Sequence, residues 1–195
     1  SLHRLHQRKD GHYHFETHTE PRIRMLPFHY VESSDFTWNN GKIQPLNYYY
    51  NVREGKRRKK GNVLFDWQHQ KVANYELKEP WESVIPRDLQ DKITQTLCLR
   101  QGLLLGQSNL NYTVAEEDKI KNYAFTILGK EHLKTKIGTL ETIKVQHISR
   151  KGAQTTLWLA KKYEYLPVKI TQTRHGKLAA SGEILTFTPN PKNQH

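Results

Sequence analysis

The chain has 195 residues, with 31 Lys and Arg against 19 Asp and Glu, a formal net charge of +12. That balance selects anionic partners, namely nucleic acid, acidic lipid head groups or acidic polysaccharides, without choosing among them. A single cysteine, Cys98, excludes an intrachain disulfide, and no apolar run reaches the length of a transmembrane helix.

The length fits one domain with a core of its own. Ser1 to Arg8 lacks the apolar stretch of a signal peptide. His12, His14, Glu16, His18 and Glu20 share one parity, and Tyr13, Phe15, Thr17 and Thr19 the other. This alternation predicts a strand with its polar face outward, ended by Pro21. Arg22 to Val31 reads as a second extended piece. Ser34 to Trp38 then leads into Asn39-Asn40-Gly41, a hairpin turn signal, and a return strand from Ile43 to Val52. Arg53-Glu54-Gly55-Lys56-Arg57-Arg58-Lys59-Lys60-Gly61 follows, and Asn62 to Gln68 alternates Val63, Phe65 and Trp67. The cationic cluster is therefore expected at a hairpin tip. Val72 to Leu77 is a weaker strand, and Pro80 to Pro86 a connector.

One helix is expected, from Asp88 to Gln101. Asp88 is placed to cap it, with Asp91 three residues on. Leu89, Ile93 and Leu97 form an apolar stripe. Strands return at Tyr112 to Ala115, Asn122 to Leu128, Glu131 to Thr135 and Leu140 to Arg150. Gln154 to Ala160, Pro167 to Arg174 and Leu178 to Thr188 complete them. Turns are expected at Gly129, Lys136 to Gly138, Lys151-Gly152 and His175-Gly176. Close spacing of such strands implies an antiparallel arrangement.

Five groups of residues are candidates for function. Arg53, Lys56, Arg57, Arg58, Lys59 and Lys60 form an anion-binding candidate; the competing role is a solvated tip whose charges block edge pairing. Trp38, Tyr48, Tyr50, Trp67 and Trp158 are ligand-binding candidates, against a role as core filling. Tyr48 and Tyr50 share a face opposite Tyr49, so one side of that strand should carry exposed or cleft-lining rings. His12 and His14, with Glu16, share a strand face, but zinc needs three or four ligands and nothing supplies the rest, so no metal or cofactor is expected. Asp66, Asp91, Glu116, Glu117 and Asp118 are the carboxylates available for acid–base work on a sugar, although no pair among them is readable from spacing. Cys98 reads as a buried structural thiol, and no Gly-x-Ser-x-Gly or phosphate-binding glycine loop occurs.

Several stretches together resemble the bacterial domain of unknown function 3108 family. They include Asp10-Gly11-His12-Tyr13, Ser34-Asp35-Phe36, Pro45-Leu46-Asn47-Tyr48, Val63-Leu64-Phe65-Asp66-Trp67 and Gln90-Asp91-Lys92-Ile93-Thr94. Leu133 to Thr139, Leu157-Trp158-Leu159-Ala160 and Tyr165 to Ile170 continue the pattern. The chain departs from the family at Lys136 and Thr94, where Pro and Ser are common. By the same resemblance, a strand region and a leader would precede the first motif, and both are expected to be missing here. The resemblance implies an exported or envelope protein of Gram-negative bacteria with an antiparallel β fold, and it carries no catalytic residue.

The expectation is thus a mainly β protein: an antiparallel, strongly curved sheet or partly open β-barrel with one helix packed against it. Residues 1–188 would form a single β domain lacking an N-terminal segment, with 189–195 a flexible tail. The expected function is non-enzymatic binding of an anionic or amphipathic periplasmic ligand, such as a glycan or lipid. An enzyme acting on an envelope polysaccharide is the alternative. Nucleic-acid binding through the basic loop is a further alternative, but nucleic acid is not the expected partner, because the envelope reading disfavours it and no DNA- or RNA-binding motif accompanies the cluster.

Overall fold

The structure is a computed structural model that describes residues 2–19 and 28–186. It is mainly β, with two antiparallel sheets and one α-helix. The first sheet takes seven strands in chain order: β1 (Leu2–Gln7), β2 (Tyr13–Thr19), β3 (Phe28–Asn39), β4 (Lys42–Glu54), β5 (Arg57–Asp66), β6 (Lys71–Asn74) and β7 (Trp81–Val84). Helix α1 (Lys92–Leu104) follows. The second sheet runs β13-β12-β11-β10-β9-β8, built from β8 (Leu110–Ala115), β9 (Ile120–Thr135), β10 (Gly138–Ile148), β11 (Gln154–Ala160), β12 (Leu166–Arg174) and β13 (Lys177–Glu183). Neither sheet closes: among the described residues the first and last strands of each do not pair. The single strongly curved sheet or barrel expected from strand spacing is corrected to two open sheets. The strands that precede α1 in the chain pair with one another, as do the strands that follow it.

The chain divides into two compact units, Ser1–Gly102 with Leu110–Ala124, and Leu103–Asn109 with Phe125–His195. The core of the first unit follows from strand parity. Tyr48, Tyr50, Val63, Phe65 and Val72 project from one side of the sheet onto Leu89 and Ile93, and Phe36 and Ile43 meet Leu97. All three members of the predicted helical stripe are buried. The β3–β4 hairpin turns at Asn40 and Gly41, both at positive φ (50° and 75°), the backbone that a two-residue turn requires and that Asn-Gly supplies. In the second unit, Leu140, Trp158, Ala160 and Val168 form a separate cluster joined by Leu133, Ile137, Tyr163 and Ile184.

Four local expectations are corrected. Residues 2–7 form β1, paired with β2, where no strand was expected. The connector from Pro80 to Pro86 contains β7. Gly129 is not a turn: β9 runs through it, with a register shift that pairs Ile127 with Val145 and Gly129 with Lys144. The helix begins at Lys92 and not at Asp88. Asp88 has φ of 56°. The backbone of Gln90 is already committed to β8, donating to Thr113 O at 2.9 Å and accepting from Ala115 N at 2.8 Å. A residue engaged in that bridge cannot enter a helical hydrogen-bond ladder. The cap is Asp91, whose Oδ1 accepts from Ile93 N (2.7 Å) and Thr94 N (2.8 Å), while Thr94 Oγ1 accepts from Asp91 N (2.9 Å). This is a capping box one turn later than expected. The proposed tail, 189–195, lies outside the described residues.

Candidate anion-binding face and buried polar cluster

The cationic cluster is only in part a hairpin tip. The turn is confined to Gly55 and Lys56, and Arg57, Arg58, Lys59 and Lys60 are the first residues of β5. Strand alternation then divides them between the two faces of the sheet. Arg58 and Lys60 point outward and are exposed, opposite Arg53 and Asn51 of β4. Lys59 points inward opposite the buried Val52, where it donates to Glu117 Oε2. Arg57 lies opposite Glu54; its side chain is outside the described set.

The outward face extends across β3, where His29 is the registered partner of Arg53. A row of His29, Arg53 and Arg58 therefore crosses three strands, with Lys60 in the adjacent row and Lys56 at the turn. Among the described residues no carboxylate pairs with Arg53, Lys56, Arg58 or Lys60. Like charges directly opposite one another on antiparallel strands destabilise the pairing, so Arg53 and Arg58 repel one another with no carboxylate among the described residues between them.

The inward face at the same end of the sheet is different. Tyr48 Oη donates to Glu32, and Lys92 Nζ stands 3.8 Å from the same carboxylate. Glu116 accepts from Tyr123 and Lys121, and Glu117 from Lys59. Burial alone would lower the Lys92 ammonium, but Glu32, Glu116, Glu117 and Tyr30 hold it above the ordinary lysine value. Burial would raise Glu116, which Lys121 and Tyr123 hold below the usual carboxylate range. Burial and Glu32 push the Tyr48 phenol well up, so it stays a donor. The cluster thus neutralises itself, cation by carboxylate.

Next to it, Asp91 is fully buried, and Ser34 Oγ donates to its Oδ2 at 2.5 Å. Burial pushes this carboxyl up to about 6 in spite of three hydrogen-bonding partners, Ser34, Thr94 and Ile93. Asn74 donates to Tyr50 Oη (3.0 Å) and Glu117 O (2.8 Å), and ties β6 to the β8–β9 loop. Sequence reasoning missed Glu32, Lys92 and Tyr123, because the strand periods mark which face they occupy but not which distant residues meet there.

The aromatic candidates do not assemble into one surface. Tyr48 and Tyr50 are fully buried, 6.0 Å apart, and fill the core, while Tyr49 on the opposite side of the strand is half-buried. Trp67 stacks on Phe65 and donates Nε1–H to Pro45 O at 2.7 Å. Trp38 is 37% exposed and leans on Tyr13. Trp158 belongs to the other unit. It is 8% exposed, with Lys144 and Lys169 ammonium groups 5.0 and 4.9 Å from its ring centre and Nε1–H donated to Glu131.

The remaining candidates have local roles. Asp66 is exposed and accepts from His69 N (2.9 Å), which with the His69 ring lowers its carboxyl, so it closes the β5–β6 turn. His14 Nδ1 lies 2.7 Å from Asp35, which also binds Arg8, while His12 sits beside Asp10. Among the described residues no group of three or more His, Cys, Asp or Glu is placed to hold a metal ion. Burial pushes the Cys98 thiol up to about 12, which keeps it protonated. A shallow depression of about 300 Å³ beside β7 is lined by His69, Gln70, Lys71, Glu82, Ser83 and Val84. Lys71 and Glu82 pair across it at 2.5 Å.

An antiparallel β protein with one capped helix and a cationic sheet face is the class that fold and site define. Residues 2–177 match the family described as protein of unknown function (DUF3108), and the chain belongs to that family. No curated protein matches it. Among solved structures it is similar to a β-barrel-like protein of domain of unknown function DUF1849 from Brucella abortus. That likeness is at 7% identity and a TM-score of 0.47, over 89% of this chain and 81% of the other. No helix among the described residues is long and apolar enough to cross a membrane.

Proposed function

We propose that the protein is a non-enzymatic envelope protein of Gram-negative bacteria that binds an anionic ligand across the outward face of the β4–β5 hairpin. The observation that supports this most directly is the placement of Arg53 opposite Arg58, both exposed, with neither held by a carboxylate among the described residues. An anionic group lying between them removes their mutual repulsion and gains two charge-assisted hydrogen bonds. Asn51 and Lys60 extend the surface by one register position. Its charged residues are exposed, which suits an extended ligand with repeated charges better than a small molecule, since small-molecule sites are concave and mostly apolar. The burial of Tyr48 and Tyr50 favours the anionic over the amphipathic form of the ligand. The envelope location rests on the resemblance to exported proteins.

Binding to phosphatidylglycerol vesicles and to heparin, at low and at physiological salt, tests the reading and separates lipid from glycan. Arg53→Glu/Arg58→Glu should weaken binding to the preferred ligand at least tenfold and flatten its salt dependence. Equal binding by this variant and the parent at low salt would remove the face from the function. Fractionation of cells expressing the full-length gene tests the location: recovery in the cytosol overturns it.

A further inference from the structure

We propose that the second unit carries a separate binding site for an acidic glycan, centred on Lys144 and Lys169. The register of four strand pairs places two rows of residues on one face of that sheet. The first row is Thr126, Gln146, Thr156, Thr171 and Ser181, one residue from each of β9 to β13. The second is Gly129, Lys144, Trp158, Lys169 and Glu183 on the same five strands. The two rows are adjacent, because each strand contributes residues that are close in sequence and on the same side. On β10, β11, β12 and β13 those residues are two apart.

The rows have complementary chemistry. Every member of the first is a hydroxyl or amide, and Gln146 Nε2 already orients towards Thr156 Oγ1 (3.2 Å) and Gln154 Oε1 (3.4 Å). Thr126 and Ser181 are exposed and Gln146 and Thr171 half-buried, so these four offer donors and acceptors at the surface, while Thr156 between them is buried. In the second row, the ammonium groups of Lys144 and Lys169, from the two strands that flank Trp158, lie 5.0 and 4.9 Å from the centre of its ring, and neither forms an ion pair with a carboxylate among the described residues. Cation–π attraction holds them there. Glu131, accepting from Nε1–H, fixes the plane of the ring. Glu183 lies across from Lys169 without pairing with it.

Trp158, nearly buried, is therefore a positioning residue and not a stacking platform. The ammonium groups it holds suit the carboxylates or sulfates of an acidic chain, and the neighbouring hydroxyl row suits the hydroxyls of the sugars bearing those groups. A lipid head group or inorganic anion would use the lysines and leave the row idle. A neutral glycan would use the row and leave the lysines unsatisfied. Only an acidic sugar chain engages both.

The test uses the full chain and the Arg53→Glu/Arg58→Glu variant, so that failure here is separable from failure of the hairpin reading. Polygalacturonate is titrated while the Trp158 indole N–H resonance, assigned with Trp158→Phe, is followed by NMR. Saturable perturbation of that resonance in both backgrounds is expected, with dextran silent. Lys144→Met/Lys169→Met, which keeps the apolar stems over the ring, should weaken binding tenfold or more. Thr171→Val should weaken it about threefold. An unperturbed indole, undiminished binding by the Met variant, or polyphosphate binding as tightly as polygalacturonate and indifferent to Thr171→Val each overturn the proposal.

Discussion

Ser34 on β3 and Asp91 at the head of α1 stand 57 residues apart and share a 2.5 Å hydrogen bond inside the first unit, where both are fully buried. The bond joins the sheet to the helix at the residue that caps the helix. Asp91 thus has two tasks, to accept the free N–H groups of the first turn and to anchor α1 on the sheet.

Because burial raises the Asp91 carboxyl from 3.8 to about 6, the folded protein binds a proton that the unfolded chain has already released over that interval. Stability contributed at this site is therefore greatest below the unfolded value, declines as pH rises towards the folded one, and is lost above it. The full effect is roughly 3 kcal/mol. Asp91→Asn, which retains an acceptor for the capping N–H groups, should remove this slope. Urea unfolding of both proteins between pH 4 and 8 measures the difference, and parallel curves would refute it. Ser34→Ala should cost about 1.5–3 kcal/mol at neutral pH, where the carboxylate is charged.

Gly61 on β5 is placed where a Cβ would lie 2.7 Å from Tyr50 Oη and 3.1 Å from its Cζ. Gly61→Ala is expected to destabilise by roughly 1–3 kcal/mol through overpacking. Tyr50→Phe in the same chain should recover part of that loss by removing the hydroxyl. Non-additivity in a double-mutant cycle, read by chemical denaturation, is the signature; simple addition of the two losses would contradict the geometry.

Lys59 and Lys60 are neighbours on opposite faces. Lys59→Ala deprives Glu117 of its partner and should cost about 1 kcal/mol once solvent screening of the half-exposed ammonium is allowed for. Lys60→Ala should stay within about 0.5 kcal/mol of the parent. For anion binding the order reverses, with Lys60→Ala the weaker binder. Thermal melts and heparin retention on the two variants check both halves.

In the second unit, Trp158→Phe leaves Glu131 without its N–H donor and Lys144 and Lys169 with a poorer π face. A loss of about 1–2 kcal/mol is expected, and Glu131→Gln, which still accepts from the indole, should lose less. A chemical melt in which the two variants coincide would show that the hydrogen bond contributes nothing.

Much of the fold was legible because its signals are local. The parity of Tyr13 and Phe15 against His14 and Glu16, the Asn40-Gly41 turn and the Leu89, Ile93, Leu97 stripe each arise within a few residues. β1 was not legible, since Leu2 to Gln7 shows no alternation that separates it from coil. Nor was β7, whose four residues alternate half-buried with exposed.

By itself, the sequence determined most of the strand and turn pattern, the presence of a single helix, the excess of positive charge and the family. Tertiary structure decided the rest through pairings between residues distant in the chain. The bridge from Gln90 to Val114 denied Asp88 the helix start and passed the cap to Asp91. Registry between β4 and β5 turned one run of basic residues into an outward cationic face and an inward, neutralised lysine. Register across five strands brought Lys144, Trp158 and Lys169 into one row. A charge or a ring is a property of the residue, but its neighbours depend on which strands pair, and that is settled only when backbone hydrogen bonds and core packing are satisfied together.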